Sequence, residues 1–236
     1  MTLRWDTVVI DTHNAAVLGR WWAEALGWEI VDESDDEIEV ANPAGTGPNL
    51  LFGNGPDEKA VKNRLHLDFV PGNQSVEVER LAGLGASRID IGQGDATWVV
   101  MADPEGNEFC VLSARAPGTG LSWEQVVIDS ADPQTLGRWW AEALGWKVID
   151  QDDESVELAG EGDGPHLFFL KVPDTKTVKN RLHLDLVPDD QQAEVSRLLS
   201  LGASHADIGQ GETSWVVMAD PEGNEFCVLS ARSTTD

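Results

Sequence analysis

Apolar positions recur with helical spacing in two stretches of each half of the chain. Val17, Trp21 and Ala25 lie at i, i+4 and i+8, a spacing that predicts a helix with one face packed on a sheet. Asn14 is a residue type suited to cap the start of this helix. Gly27 is suited to end it in a left-handed conformation. The second half carries the same signals.

Short β-rich segments separated by acidic or Gly/Pro turns surround each helix and predict a repeated β-α-β-β-β order. The first half contains two such units. The predicted strands of the first unit are 3–10, 28–32, 37–41 and 49–53, and the second unit has strand 64–70, helix 75–84 and strands near 87–91, 97–101 and 108–113. A tight turn at 103–107 (DPEGN) joins the last two strands.

The sequence contains a tandem duplication. Residues 19–28 (GRWWAEALGW) return at 137–146, residues 61–68 (VKNRLHLD) at 178–185, and residues 98–115 (WVVMADPEGNEFCVLSAR) at 215–232. A half of about 115 residues lies within the usual size of a domain. The repeat therefore predicts a first domain at 1–115, a linker at 116–120, a second domain at 121–232 and a tail at 233–236.

Composition narrows the classes of partner. The 236 residues include 16 basic and 42 acidic residues, which gives a formal net charge of −26. An acidic surface repels phosphate backbones and anionic lipid, so we expect neither a nucleic-acid nor a membrane partner. The acidity indicates a soluble surface or a docking face for a basic partner. Cys110 and Cys227 are equivalents in the two repeats, so we expect reduced thiols and a cytoplasmic protein.

Alternation along the strand at 64–70 separates an apolar face from a polar one. Arg64, His66 and Asp68 share the polar face, and Arg181, His183 and Asp185 repeat it in the second half. The polar set is expected to face away from the helices and to line a cleft. It forms either a self-satisfied ion-pair network or a contact surface for an anionic, polar ligand.

The same alternation assigns other residues to the cleft face or to the core. Trp5 and Thr7 are placed on the cleft face, as is Cys110, whereas Trp21, Trp22 and Trp28 are interpreted as core. The remaining histidines are interpreted as surface or loop residues; they are His13, His166 and His205.

The paired layout, the helix ending in LGW, the strand RLHLD and the hairpin DPEGNEF resemble the vicinal-oxygen-chelate superfamily, which includes glyoxalase I, bleomycin-resistance proteins and extradiol dioxygenases. The chain is similar to its glyoxalase-like domain branch, duplicated in tandem. The resemblance implies an α+β fold of two glyoxalase-like domains, each with two β-α-β-β-β units that form a curved, mostly antiparallel sheet around a cleft. It leaves activity open, since the superfamily mixes metalloenzymes with metal-free binding proteins.

The resemblance also implies positions for metal ligands. They fall near Thr7, His66 and Cys110 in the first copy, and the fourth falls around the apolar Leu50. In the second copy they fall near Gln125, His183, Cys227 and Leu167. Only the histidines match the family, so no cofactor is predicted, although a divalent metal remains an alternative. Gln125 favours the second copy as the active one.

We expect from this pattern a protein that binds a small organic molecule. Arg64 and Arg181 would supply a cation, and the histidines and aspartates directional hydrogen bonds. Four tryptophans would supply stacking area; they are Trp5, Trp98, Trp123 and Trp215. Thr7, Gln125, Cys110 and Cys227 complete the predicted binding set. One alternative is a metal-dependent lyase, isomerase or dioxygenase, and another is a pseudo-dimeric interaction module with vestigial clefts. The chain is expected to be a monomeric pseudo-dimer or a homodimer.

Overall fold

The computed structural model describes residues 3–43, 45, 47–55 and 59–231. The predicted tail at 233–236 and Arg232 lie outside the described residues. Two β-α-β-β-β units follow one another in each copy, as the sequence pattern predicts. The helices are α1 (Ala15–Leu26), α2 (Gln74–Gly83), α3 (Pro133–Leu144) and α4 (Gln191–Leu201).

The strands of the first copy are β1 (Leu3–Thr12), β2 (Glu29–Glu33), β3 (Glu37–Ala41), β4 (Asn49–Asn54), β5 (Leu65–Pro71), β6 (Ser87–Arg88), β7 (Val99–Ala102) and β8 (Glu108–Val111). Those of the second copy are β9 (Leu121–Ser130), β10 (Lys147–Gln151), β11 (Ser155–Ala159), β12 (His166–Lys171), β13 (Leu182–Pro188), β14 (Ser204–His205), β15 (Val216–Ala219) and β16 (Glu225–Val228).

The strands form two eight-stranded mixed sheets, and each sheet takes one unit from each copy. The β1 sheet has the order β14-β15-β16-β13-β1-β4-β3-β2, and the β9 sheet has the order β10-β11-β12-β9-β5-β8-β7-β6. The central pairings, β1 with β13 and β5 with β9, are antiparallel and join the two copies. This arrangement confirms the α+β fold of paired units. It adds that neither sheet can be completed by one copy alone.

Local signals set the helix ends as predicted. The side chains of Asn14 and Asp132 accept hydrogen bonds from the backbone N–H groups of Val17 and Thr135, respectively, at the starts of α1 and α3. Gly27, with φ of 69°, ends α1 in the left-handed conformation that a residue without a Cβ adopts at low cost. Within the described part of the chain, no helix is long and apolar enough to cross a membrane.

The apolar faces of the helices and sheets make one continuous core. Trp22 and Trp28 are buried in it and Trp21 packs against it, as the sequence indicates. A β-bulge corrects the prediction for Trp5. The register of β1 shifts between Trp5 and Thr7, and one extra residue moves the side chains on either side of it to opposite faces. Trp5 therefore packs against the core, not on the face of Thr7.

The same bulge recurs in β9 and has the same effect on Trp123. The register shifts between Trp123 and Gln125, which lie opposite Phe69 and Asp68. The indoles of Trp5 and Trp123 meet edge to face, with centroids 6.2 Å apart. They lie between the two copies and contribute aromatic packing there. Their surface is taken up by the core, so the structure does not bring them to the cleft faces.

Candidate functional site

A buried polar group lies at the centre of the β9 sheet, on the face opposite the core. It consists of His66 and Asp68 from β5 and Cys110 from β8, and one potential ligand atom from each lies within 4.8 Å of the others. Asp68 and Cys110 are direct neighbours in the parallel pairing of β5 with β8. His66 lies two residues before Asp68 and so shares its face. We call this group the His66 triad.

An equivalent group occupies the β1 sheet. It consists of His183, Asp185 and Cys227, again within 4.8 Å of one another, and we call it the His183 triad. All six side chains are buried. The histidine and the aspartate of each RLHLD strand therefore point into the protein and not into bulk solvent.

The exchange of units between the sheets changes which first-strand residue belongs to each triad. Sequence reasoning grouped Gln125 with His183, because both lie in the second copy. In the structure Gln125 lies opposite Asp68 and donates a hydrogen bond of 3.0 Å from Nε2 to its Oδ2. Thr7 lies opposite Asp185 instead. The expected preference for the second copy is therefore wrong in its grouping, because each site is made by both copies.

Both triads contain buried polar atoms without a hydrogen-bond partner among the described residues. These atoms are His66 Nδ1, Asp68 Oδ1, His183 Nδ1 and Asp185 Oδ1, and Thr7 Oγ1, opposite Asp185, is in the same state. An unsatisfied buried polar atom costs about 1–3 kcal/mol, and such atoms are rare in folded proteins. Two further atoms of this kind, Asp129 Oδ1 and Glu194 Oε2, lie outside the triads, so four of the seven among the described residues belong to them.

Burial sets the protonation of the triads. Desolvation, with a smaller contribution from the charge of Lys62, lowers the pKa of His66 to about 3. Desolvation lowers that of His183 to about 4 and raises the pKa of Asp68 and of Asp185 to about 7. The imidazoles are therefore neutral at physiological pH, with a lone pair on one ring nitrogen. The carboxyls can take or release a proton near neutrality.

The cysteines do not fit the role of nucleophiles. Burial raises the pKa of the Cys110 thiol, and the neighbouring Asp68 carboxylate raises it further. The pKa of Cys227 is raised in the same way, with Asp185 as its neighbour. Because the reactive form of cysteine is the thiolate, these thiols are inert in the free protein.

Arg64 and Arg181 lie before their strands and are not brought to the triads. The guanidinium of Arg64 donates to Asn224 Oδ1 at 3.3 Å and to the backbone oxygen of Asp174 at 2.9 Å, and it pairs with Glu222 at 3.4 Å. Arg181 pairs with Glu105 at 2.8 Å. Each arginine thus holds a DPEGN turn of the opposite copy. The guanidinium groups that were predicted to contact a ligand are therefore engaged in contacts between the two copies.

Of the four predicted stacking residues, two are exposed. Trp98 directly precedes β7 and is 41% exposed, and its equivalent Trp215 directly precedes β15 and is 40% exposed. An accessible indole therefore lies at the start of one strand in each triad-bearing sheet.

His166, predicted to be a surface or loop residue, is partly exposed at the start of β12. It opens β12 and lies beside Gln125 in the parallel pairing of β12 with β9, so it shares the face of the His66 triad. Its Nδ1 lies 2.6 Å from Glu157 Oε1 on β11. The fully buried Leu167, which the family pattern had suggested, points into the core. The alternation of His166 with the core residues Leu167 and Phe169 is the signal that could have identified it.

A cavity of about 680 Å³ lies where the two copies meet. It is lined by residues 59–64 and 174–181, with Asp129. Lys62 lines it and pairs with Asp129 at 2.6 Å. Its charge also contributes to the lowered pKa of His66, although no residue of the triad lines this cavity.

Comparison with known proteins gives the family. The model of the glyoxalase-like domain matches residues 7–112 and again residues 125–229. The chain is therefore a member of the glyoxalase-like domain family, duplicated in tandem, as the sequence resemblance implies. A comparison with curated protein sequences found no match.

Solved structures agree on the fold. Glyoxalase I from Zea mays superposes with a TM-score of 0.70 at 17% identity, over 97% of this chain and 92% of the other. A putative dioxygenase from Bacillus subtilis superposes with a TM-score of 0.68 at 13% identity, over 97% of this chain and 85% of the other. At these identities the likeness describes the fold and not the activity.

Proposed function

We propose that this chain binds a small organic molecule on the triad-bearing faces of its two sheets. The observation that carries the proposal is the pair of buried triads with unpartnered atoms, since polar groups of this kind fix the orientation of a ligand. His66 and Asp68 would form directional hydrogen bonds in the β9 sheet. The exposed indole of Trp98 would supply apolar contact area beside them. His183, Asp185 and Trp215 would do the same in the β1 sheet.

A screen of small metabolites tests this function. Binding is measured as a shift in melting temperature and in tryptophan emission, for the wild-type chain and for the double variant His66→Ala/His183→Ala. We expect ligands that act on the wild type and lose at least tenfold in affinity in the double variant. A screen without ligands, or ligands that bind both proteins equally, would contradict the proposal. The variant Lys147→Gln, at an exposed position, serves as the control.

A second candidate function is metal-dependent catalysis, because the donor atoms of the triads fit a divalent metal. An imidazole nitrogen, a carboxylate oxygen and a thiolate sulfur form a set suited to Zn²⁺ and similar ions, and three protein ligands leave one position open. The neutral His66 has the lone pair that coordinates. Asp68 and Cys110 would have to lose their protons, so metal uptake would release protons and strengthen with pH.

In this second candidate, His66, Asp68 and Cys110 would hold the ion, which when bound would polarise an oxygen atom of the substrate. Gln125 would keep Asp68 in place through its hydrogen bond. The surrounding apolar side chains, among them Val100 and Val127, would exclude water from the reacting group. These contributions come from the protein itself.

Metal binding is tested on metal-stripped protein by calorimetric titration with Zn²⁺ at pH 6 and pH 8. We expect tighter binding at pH 8 and loss of one site each in His66→Ala and His183→Ala. Absence of binding at both pH values would rule out the metal-dependent function but not the binding of an organic ligand.

We further propose that the protein is cytoplasmic and that its partner is a small molecule and not nucleic acid or membrane. The net charge of −26 supports this, because it disfavours polyanionic partners. A fluorescence-anisotropy titration with labelled DNA at low salt would contradict this part of the proposal if it showed saturable binding.

A further inference from the structure

The two triad-bearing faces differ at one position beside the triad. In the β9 sheet the neighbour of Gln125 is His166, whereas in the β1 sheet the neighbour of Thr7 is Asn49. Each is bonded to a glutamate on the adjoining strand at 2.6 Å, His166 to Glu157 and Asn49 to Glu39. The backbone is the same in both sheets, so the difference lies in the side-chain chemistry.

Both polar atoms of Asn49 are already engaged in hydrogen bonds with the protein. Its Nδ2 donates to Glu39, and its Oδ1 accepts from the backbone N–H of Asn42 at 2.9 Å. These bonds tie the end of β3 to β4. Asn49 is thus engaged in a structural role.

His166 is bonded at one ring nitrogen only. The 2.6 Å contact of Nδ1 with the carboxylate of Glu157 orients the ring and leaves Nε2 as the nitrogen that can meet a ligand. No described residue bonds Nε2, and the side chain of His166 is 29% exposed. The β9 sheet therefore presents an oriented imidazole nitrogen that the β1 sheet lacks.

The strand order places this acceptor within reach of a ligand at the triad. β12 and β5 both flank β9, and neighbouring strands are about 4.8 Å apart. His166 and Asp68 are thus separated by two strand spacings, on the same face, with Gln125 between them. A molecule a few atoms long spans this gap.

We infer that the β9 face selects a ligand that bridges the His66 triad and His166. This ligand has a hydroxyl or N–H group at the end that meets His166 Nε2. The β1 face does not select it. The inference rests on the proposed binding function and adds the ligand class and the face. His166 is then a specificity-determining contact, and Glu157 is the residue that positions it.

The experiment uses a library of small hydroxyl-bearing compounds, each paired with its methyl ether. Binding is followed by NMR of the ¹⁵N-labelled indoles, because Trp98 reports on the β9 face and Trp215 on the β1 face. We expect hydroxyl compounds to shift the Trp98 resonance and their methyl ethers to bind at least tenfold more weakly.

The chain offers its own matched variants. His166→Asn installs the residue of the β1 face, retains a donor for Glu157, and is expected to weaken the hydroxyl compounds tenfold at Trp98. Asn49→His, with Glu39 already in place, is expected to create binding that shifts Trp215. The melting temperature of each variant is compared with that of the wild type, and His205→Asn, at an exposed position, controls for loss of a histidine.

Three results would overturn the inference. They are equal perturbation of Trp98 and Trp215 by the hydroxyl compounds, no preference for them over the ethers, or unchanged affinity in His166→Asn. If compounds bind both faces and are lost only in His66→Ala/His183→Ala, the proposed function stands and this inference fails. If no compound shifts either indole, both fail.

Discussion

Removing the charge of Asp68 should stabilise the free protein above neutral pH while it abolishes ligand binding. The pKa of this carboxyl is raised from 3.8 to about 7, mainly because the folded state buries it. Between these values the folded state binds the proton more tightly than the unfolded state. The free energy of unfolding therefore falls as the pH rises from about 4 to about 7, and it stays reduced above that pH.

The size of the effect follows from the same shift. One pKa unit corresponds to about 1.4 kcal/mol, so full ionisation of Asp68 costs about 4 kcal/mol above pH 7. Asp68→Asn is neutral at every pH and keeps an oxygen to accept from Gln125 Nε2. Its new amide N–H lies near His66 Nε2, which is 3.5 Å from Asp68 Oδ1. We expect a gain of about 2–4 kcal/mol at pH 8 and almost none at pH 4.

The assay is urea denaturation of metal-stripped wild type, Asp68→Asn and Asp95→Asn at pH 4, 6 and 8. Asp95 is exposed and controls for the loss of one negative charge from a strongly acidic chain. The reasoning is refuted if Asp68→Asn is no more stable than the wild type at pH 8, or if its gain does not grow with pH. Natural proteins keep such costly groups chiefly where they serve function.

Three further predictions concern the scaffold. Gly137→Ala should lower the free energy of unfolding by about 1–3 kcal/mol in urea denaturation, because its Cβ would lie 2.7 Å from Val156 Cγ1. Gly83→Ala, whose Cβ meets nothing within 4 Å, should instead raise the free energy of unfolding by about 0.5–1 kcal/mol. Equal effects of the two variants would contradict the packing argument. Arg64→Ala should cost about 1–3 kcal/mol, since it removes the hydrogen bonds of the guanidinium to Asn224 and to the backbone oxygen of Asp174 in the other copy. A loss below 1 kcal/mol in the same assay would show that the contact between copies is weak. Residues 1–115 expressed alone should form a dimer in light scattering, because β1 lacks its partner β13, and a folded monomer would contradict the exchanged pairing.

Much of the fold is readable from local pattern. Helix ends are set by residues such as Asn14 and Gly27, whose side chain or lack of one acts within a single turn. Alternation in the RLHLD strand likewise places His66 and Asp68 opposite the core, because a strand has period two. These features depend on neighbours in sequence, and so the sequence predicts them.

Which residues come together in each site depends on strand pairing between distant parts of the chain, and local sequence pattern does not specify this pairing. Two similar copies can pair their units within or between copies, and alternation is the same in both cases. Gln125 was therefore grouped with the wrong histidine, and Trp5 was misplaced by a bulge that period-two reasoning does not contain. His166 was missed because its strand neighbour, Gln125, is distant in sequence.

The central claim is that the two buried triads are the places where this protein meets its ligand. NMR spectra of protein labelled with ¹⁵N-histidine test it directly, recorded during titration with Zn²⁺ and with hits of the metabolite screen. We expect the ring nitrogens of His66 and His183 to report neutral imidazoles at pH 6 and to shift on titration, while those of the exposed His13 and His205 stay unchanged. Shifts confined to His13 and His205, or triad resonances that respond to neither kind of ligand, would contradict the account.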